Sequence, residues 1–187
     1  MTAGFDIFAE GGEHELAREA LLDRVIGPIR FRRACERLRE GRLPAPGLGF
    51  VAIAGGAVAG TVRLWPVRAP GLAGALLLGP LAVEGEAQGR GIGGELITHA
   101  LDEAAALGHR AIVLVGDASY YARFGFSAEP AHHLAVPGPF ERHRLLGLAL
   151  APGAFEGAAG ILRPAGARRG RQDVRGARPG RLTASAA

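Results

Sequence analysis

A glycine-dense loop is the part of this sequence whose residue types and spacing best suit ligand chemistry. The apolar run 75–83 leads into residues 84–94, which contain five glycines, and a helical pattern follows. Glycine lets the backbone adopt positive φ and lets a ligand approach closely. Main-chain N–H groups at the start of a helix suit a phosphate group. The loop therefore predicts a site for a phosphorylated cofactor, with a merely flexible turn as the alternative.

The same loop partly matches a dinucleotide-binding pattern. Residues 89–94 fit G-x-G-x-x-G, and Asp117 follows the next apolar strand at about the expected distance. In a dinucleotide fold, however, the first glycine directly follows the strand, whereas five residues separate Val83 from Gly89 here. No further strand–helix–strand unit follows. A nicotinamide-dependent oxidoreductase is therefore the disfavoured alternative.

Two motifs in a fixed order carry a resemblance to a known family. Residues 88–93 read Q-x-x-G-x-G and resemble the Q/R-x-x-G-x-G/A signature of GNAT acetyltransferases. Residues 121–126 read Y-x-x-x-G-F and resemble the element that follows the fifth strand in that superfamily. The wider string 116–126 is similar to the YhbS-like subgroup of predicted bacterial N-acetyltransferases. Two motifs separated by a helix and a strand are more specific than either one alone.

The resemblance implies an α/β fold with a mixed sheet and a splayed central strand pair. It also implies acetyl-CoA as co-substrate and a primary amine that attacks the thioester directly in a ternary complex. Main-chain groups of residues 88–93 would hold the pyrophosphate, with the Arg90 side chain as an extra contact, and those of 81–83 the pantetheine and carbonyl. The cofactor-binding residues predicted in this way are Leu81, Ala82, Val83, Gln88, Gly89, Arg90, Gly91, Ile92 and Gly93.

Tyr121 matches the tyrosine that donates a proton to the departing thiolate in this family. A phenol with a pKa of about 10 stays protonated at neutral pH and can serve as this acid. A packing role for Tyr121 and a catalytic role for the adjacent Tyr120 are the alternatives. The general base is not identified by the sequence, and Glu84, His132 and His133 are the candidates. A non-catalytic domain that binds acyl-CoA as a sensor or partner module therefore stays open.

Composition restricts the partners and the location of the protein. All 22 basic residues are arginine, and seven of them lie in residues 161–187 with one acid, which predicts a domain at 1–160 and a basic, disordered tail. The tail lacks aromatic residues for base stacking, so nucleic acid is not the expected partner. The single cysteine, Cys35, excludes an internal disulfide and a thiolate metal cluster, and no metal site is expected. Without a signal peptide or apolar span, we expect a cytoplasmic protein that binds no membrane.

The acceptor amine and the oligomeric state, including a homodimer, stay open. Arg30, Arg32 and Arg33 form either a site that attracts an acidic acceptor or an exposed charged face. Hydrophobic periodicity and turn residues predict the following elements. They are strands at 5–9, 49–54, 58–65, 75–83, 111–115, 131–136 and 143–150, and helices at 14–26, 31–40, 94–107 and 117–124. Pro80 predicts a bulge or a splayed edge in the strand 75–83.

Overall fold

The computed structural model describes residues 4–170, which form a mixed sheet flanked by helices. The strands are β1 (Asp6–Ala9), β2 (Gly49–Ala54), β3 (Ala57–Ala69), β4 (Leu72–Val83), β5 (Ala111–Val115), β6 (Leu134–Ala135), β7 (Leu145–Ala149), β8 (Gly160–Ile161) and β9 (Arg163–Pro164). The helices are α1 (Glu15–Val25), α2 (Glu36–Arg39), α3 (Ile92–Ala106) and α4 (Ala118–Ala122). The main sheet has the order β1-β2-β3-β4-β5-β7, with β9 paired to β3. No helix of the described residues is long and apolar enough to cross a membrane.

The central strands β4 and β5 pair over only part of their length. They run parallel, and their register covers Ala75–Leu77 opposite Ala111–Val113. Beyond that point β4 stays paired with β3 as far as Val83, while β5 stays paired with β7 as far as Val115. The two strands therefore separate into a V, and the edge of β4 that faces β5 has no strand partner there. This is the splayed pair that the sequence predicts.

The bulge predicted at Pro80 is present, and it lies at the opening of the V. Between the pairs Val62↔Leu81 and Leu64↔Leu78, β4 advances one residue more than β3. The Trp65 Nε1–H donates a hydrogen bond of 2.6 Å to the Gly79 carbonyl oxygen and holds the bulge against β3. A bulge redirects the bonding groups of the strand next to it.

The strand predicted to end at Trp65–Pro66 instead continues to Ala69. The Pro66 carbonyl accepts a hydrogen bond of 2.9 Å from the Ala165 N–H at the outer edge of β3. In an antiparallel strand the N and O of one residue face the same side. The missing N–H of Pro66 therefore falls on the outer edge and removes no bond to β4.

Helix α3 covers one face of the sheet through the apolar positions that its sequence predicts. Leu96, Ile97, Ala100 and Ala104 are fully buried in a core with apolar side chains of β2, β3 and β4. The opposite face is covered by α1, α2 and the C-terminal segment, residues 151–170. Both faces of the central strands are thus buried, which explains their nearly continuous apolar sequences.

The second predicted helix, at residues 31–40, is wrong in its extent. A 3₁₀ turn covers Pro28–Arg32, Arg33 is extended with ψ of 143°, and α2 covers only Glu36–Arg39. The Arg30 side chain contacts α1, where its Nη2 donates to Glu19 at 2.7 Å and to Asp23 at 2.8 Å. The extended Arg33 interrupts the predicted helix, and the ion pairs of Arg30 hold the preceding 3₁₀ turn against α1.

The predicted boundary at residue 160 is also wrong, because residues 161–170 are part of the fold. β8 pairs with β6, and β9 pairs with the outer edge of β3 beyond the end of β2. Leu162 is buried between these strands. An arginine- and glycine-rich composition gave no sign of this pairing, since the partner edge is distant in sequence. Residues 171–187 of the predicted tail lie outside the described residues.

Gly71→Ala is expected to destabilise the protein strongly, because Gly71 lies under the C-terminal segment. Its φ is +69°, and a Cβ there would overlap the carbonyl oxygen of Gly157, a backbone atom that cannot easily give way. We expect urea unfolding to show a loss of about 3–5 kcal/mol in the free energy of unfolding.

Gly55→Ala is the matched control for this substitution. Gly55 has a φ of +58° in the β2–β3 turn, but a Cβ there would meet nothing within 4 Å. Its free energy of unfolding should fall by only about 1–2 kcal/mol, because alanine is strained in this left-handed conformation. Equal losses for the two variants would contradict the packing of the C-terminal segment on the β3–β4 turn.

Candidate functional site

The glycine loop connects β4 to α3 in a form that leaves open space in front of the helix. A 3₁₀ turn covers Gly85–Ala87, and Gly89 and Gly91 follow with φ of +78° and +86°. Gly91 is the N-cap of α3. A Cβ built on either glycine would meet nothing within 4 Å. The loop therefore combines left-handed backbone conformations that favour glycine with unfilled space beside the helix N-terminus.

The main-chain N–H groups of residues 89–93 lie beside this space, in the loop and at the start of α3. Within residues 4–170, none of these five N–H groups donates a hydrogen bond to another main-chain or side-chain acceptor. The N-terminus of α3 adds the positive end of its dipole. Unpaired N–H groups at a helix N-terminus fit an anion such as a phosphate.

Gln88 differs from the prediction that its N–H binds the pyrophosphate. That N–H already donates to the Gly85 carbonyl oxygen at 3.2 Å and closes the 3₁₀ turn. Its side-chain Nε2 donates to the Val83 carbonyl oxygen at 3.3 Å. Gln88 therefore shapes the loop, and the donor set begins at Gly89.

The other predicted cofactor residues lie along the same edge. Leu81, Ala82 and Val83 form the end of β4 beyond its pairing with β5. Arg90 is exposed, and its Nη2 contacts the Gly4 carbonyl oxygen at 3.4 Å. Ile92 is the first residue of α3, and its side chain is buried in the core between α3 and the sheet. The unpaired strand end and the loop donors are thus continuous.

Tyr121 lies at the end of β5, inside the V. Its ring packs directly over Gly116, where a Cβ would overlap the ring carbons. The adjacent Tyr120 turns the other way, and its hydroxyl oxygen lies 3.0 Å from the Cβ position of Gly93 on α3. The two tyrosines therefore occupy different sides of α4, as the sequence predicts for adjacent helical residues.

Asp117 holds the short helix that carries Tyr121. Its carboxylate accepts hydrogen bonds from the Ser119 N–H at 2.8 Å and the Tyr120 N–H at 3.3 Å, so it is the N-cap of α4. Hydrogen bonds from the Ser119 hydroxyl and these two N–H groups lower the pKa of Asp117. Asp117 thus caps a helix and has no geometry suited to a ribose, contrary to the dinucleotide alternative.

Burial controls the protonation of Tyr121. Desolvation raises the pKa of Tyr121 to about 12, with a smaller contribution from Tyr120. The phenol is therefore protonated throughout the physiological pH range and remains a hydrogen-bond donor.

A cavity of about 630 Å³ opens where β4 and β5 separate. The V supplies one wall, and the segment between α1 and α2 supplies the other. Its main lining residues are Leu78, Gly79, Pro80 and Leu81 of β4, Val115, Tyr121 and Arg144 near the end of β5, and Arg30, Arg32, Arg33, Cys35, Arg39, Phe140 and Glu141. The sequence gave no sign of Arg39, Glu141 or Arg144 at this site, because they reach it only through tertiary packing.

The three candidate bases do not line this cavity. Glu84 forms an ion pair of 2.6 Å with Arg24, and the hydrogen bond from Arg24 is the main cause that lowers the pKa of Glu84. His132 and His133 line a separate cavity beside the segment 153–159. Glu141, which is largely exposed, is the acidic residue of the lining.

Comparison with known proteins gives the family. A sequence profile described as an acetyltransferase (GNAT) domain matches residues 45–128, which include both motifs. The crystal structure of the GNAT family N-acetyltransferase YhbS from Escherichia coli, in complex with CoA, superposes with a TM-score of 0.73 at 30% sequence identity. The match covers 86% of this chain and 89% of that one. This chain belongs to the GNAT acetyltransferase family.

A second solved structure and the curated sequence of YhbS agree with the GNAT assignment. A GNAT family acetyltransferase from Brucella melitensis, in complex with acetyl-CoA, has a TM-score of 0.58 and 28% identity over 79% of this chain and 89% of that one. The curated sequence of the uncharacterized N-acetyltransferase YhbS from Escherichia coli K12 is 34% identical over 90 residues. That alignment covers 46% of this chain and spans about half (51%) of the relative.

The family and the fold class predicted from the sequence are therefore confirmed. The sheet is mixed, with one parallel pair in its main part, β4–β5, and it carries the GNAT splay. A dinucleotide-binding fold needs successive parallel strand–helix–strand units. The nicotinamide-dependent alternative is therefore wrong for this chain.

Proposed function

We propose that the protein is a cytoplasmic N-acetyltransferase that moves the acetyl group of acetyl-CoA to a primary amine. One observation carries the proposal. The V between β4 and β5 has unpaired loop N–H groups at one end and the protonated Tyr121 inside it, next to a cavity large enough for a small acceptor. The relatives from E. coli and B. melitensis, which bind CoA and acetyl-CoA, support the same assignment.

The chain offers a continuous surface for acetyl-CoA. The main-chain N–H groups of residues 89–93 would bind the pyrophosphate, and Arg90 is exposed beside them for a further phosphate contact. The strand-free edge of Leu81, Ala82 and Val83 would bind the pantetheine by main-chain hydrogen bonds. This arrangement would direct the thioester toward the V, where Tyr121 and the cavity lie.

The reaction joins the amine nitrogen to the acetyl carbon and breaks the bond from that carbon to sulfur. A main-chain donor at the β4 edge would stabilise the developing oxyanion, a contribution of about 3 kcal/mol for one well-placed donor. Tyr121 would donate its hydrogen bond and then its proton to the departing sulfur. The proton lost by the amine balances the one that the sulfur gains.

Deprotonation of the amine requires no dedicated buried base in this site. Glu84 is paired with Arg24, and Glu141 is exposed at the rim with no other acid in the cavity lining. We propose that the amine binds as the neutral base or loses its proton to water in the open cavity. The pH dependence then follows the ionisation of the amine.

The value of kcat/KM is expected to depend on pH through the ionisation of the amine. Between pH of about 6 and about 10 the rate should rise as the fraction of neutral amine rises, and it should not fall, because burial raises the pKa of Tyr121 to about 12. Initial rates of thiol release over this range, with buffer controls, measure the profile. A falling limb with an apparent pKa between about 7 and about 9 would assign the acid to another group.

Thiol release also separates acetyl transfer from the alternative of a non-catalytic acyl-CoA-binding domain. Calorimetric titration with acetyl-CoA and with NAD establishes which cofactor binds. Release of CoA with a panel of amines, and a mass increase of the amine, then establishes turnover. Tight binding of acetyl-CoA without turnover of any amine would favour the sensor function.

A further inference from the structure

The cavity beside Tyr121 has a strongly biased charge. Five arginines and one glutamate line it: Arg30, Arg32, Arg33, Arg39, Arg144 and Glu141. Three of these, Arg32, Arg33 and Arg144, are exposed and form no ion pair with an acid within residues 4–170. The rim therefore carries more positive charge than the one glutamate can balance.

This rim differs from the arginine-lined cavity next to it. The neighbouring cavity, of about 430 Å³, is lined by Arg18 and Arg63, among others. Both arginines are ion-paired to the buried carboxylate of Glu10, with 2.9 Å from Arg18 Nε to Glu10 Oε1. Those charges are neutralised inside the fold and hold α1 on the sheet. Of the arginines that line the two cavities, those that are exposed and form no ion pair among residues 4–170 lie in the cavity that contains Tyr121.

Arg39 extends this positive surface to the reaction centre. It is 8% exposed and lines both cavities, and its Nη1 lies 4.0 Å from the position that a Cβ would take on Gly79 at the β4 bulge. Its Nη2 donates to Glu36 at 2.9 Å, while its buried Nε has no hydrogen-bond partner among the described residues. A guanidinium has five N–H donors, and an unsatisfied buried donor is unfavourable.

We infer that the acceptor is a small amine that also carries a carboxylate, with the carboxylate bound by Arg39 and by Arg33 and Arg144 at the rim. The inference rests on the proposed acetyl transfer and names its substrate class. Arginine binds carboxylates through paired, charge-assisted hydrogen bonds. A cavity of about 630 Å³ fits a small molecule. The same charge disfavours polycations such as polyamines, since like charges repel at close range.

The arrangement also separates the two ends of the acceptor. The carboxylate would lie at the arginines of the rim, and the amine would lie toward Val115 and Tyr121 in the V. The amine then attacks the thioester as described above, and the acetylated product keeps its carboxylate on the arginines. The arginines of the rim would determine which acceptor binds, whereas the groups in the V would catalyse the transfer.

Matched pairs of amines test this inference on the full-length protein. The probes are the common amino acids as free acids and as their C-terminal amides, with spermidine as a cationic comparison, each assayed by CoA release from acetyl-CoA. We expect at least one free acid to be acetylated with a KM about 10-fold or more below that of its amide, the effect of one charge-assisted contact. High salt should raise the KM of the acid more than that of the amide.

Arginine variants provide the second test. Arg33→Ala and Arg144→Ala remove exposed side chains, so the fold should be retained, and each should raise the KM for the acid about 10-fold with little change in kcat or in the KM for the amide. Arg68→Ala is the control, because Arg68 is exposed on β3 and lies outside this cavity.

The outcomes distinguish this inference from the proposed function. If acetyl-CoA binds and the amides or spermidine are acetylated as well as the free acids, or no carboxylate-bearing amine reacts, the acceptor class is wrong while the cofactor site stands. If the protein does not bind acetyl-CoA, the proposed function itself fails. Equal effects of Arg68→Ala and Arg33→Ala would also overturn the assignment.

Discussion

Gly91→Val is expected to reduce the affinity for acetyl-CoA by at least about 100-fold, equivalent to about 2.7 kcal/mol of binding free energy. Gly91 is the N-cap of α3, with φ of +86°, and a Cβ there points into space that no described atom fills. In our account the pyrophosphate occupies that space. The branched valine side chain would exclude the phosphates from the N–H donors of residues 89–93. Isothermal titration calorimetry measures the effect.

Gly108→Val is the control for the backbone strain of this substitution. Gly108 lies just beyond the other end of α3, has φ of +80°, and also has open space at its Cβ position. Both variants should lose about 1–2 kcal/mol of unfolding free energy from the left-handed conformation. Only Gly91→Val should lose the cofactor. Unchanged acetyl-CoA affinity in a folded Gly91→Val protein would rule out the loop as the phosphate site.

Tyr121→Phe is expected to lower kcat by about 100- to 1,000-fold, the usual range for loss of a general acid. The ring would still pack over Gly116 and against Phe126, so the fold of α4 should not change. Only the hydroxyl that we place at the departing sulfur is lost. The affinity for acetyl-CoA should change by less than about 3-fold, because the effect is confined to the transition state.

Tyr120→Phe separates the two neighbouring phenols. The Tyr120 hydroxyl points toward Gly93 and does not line the cavity in the V. Its removal should change kcat by less than about 3-fold. Rapid-quench or steady-state assays with a responsive amine compare the two variants. A large loss in Tyr120→Phe with normal turnover in Tyr121→Phe would exchange their roles.

The sequence predicts the cofactor half of the site because its signals are local. A glycine pattern, the apolar strand before it and the helix after it are adjacent along the chain, and Pro80 alone indicates the bulge of β4. The same holds for the opposite directions of Tyr120 and Tyr121, which follow from helical spacing. These features depend on backbone conformations that a few residue types determine.

The acceptor half of the site could not be predicted, since it depends on contacts distant in sequence. Arg39 and Arg144 reach the cavity from segments about 100 residues apart, and the helix predicted at 31–40 is interrupted at the extended Arg33. The main-chain hydrogen bond of Gln88 was not predicted for a different reason. The motif gives its position, but only the structure shows that its N–H closes a 3₁₀ turn. The pairing of β9 with β3 likewise left no local signal.

A crystal structure of the full-length protein with acetyl-CoA tests the central claim most directly. We expect pyrophosphate oxygens within hydrogen-bond distance of main-chain nitrogens between Gly89 and Gly93, and the thioester between β4 and β5 with its sulfur near the Tyr121 hydroxyl. Acetyl-CoA bound elsewhere, with these nitrogens facing solvent, would contradict it.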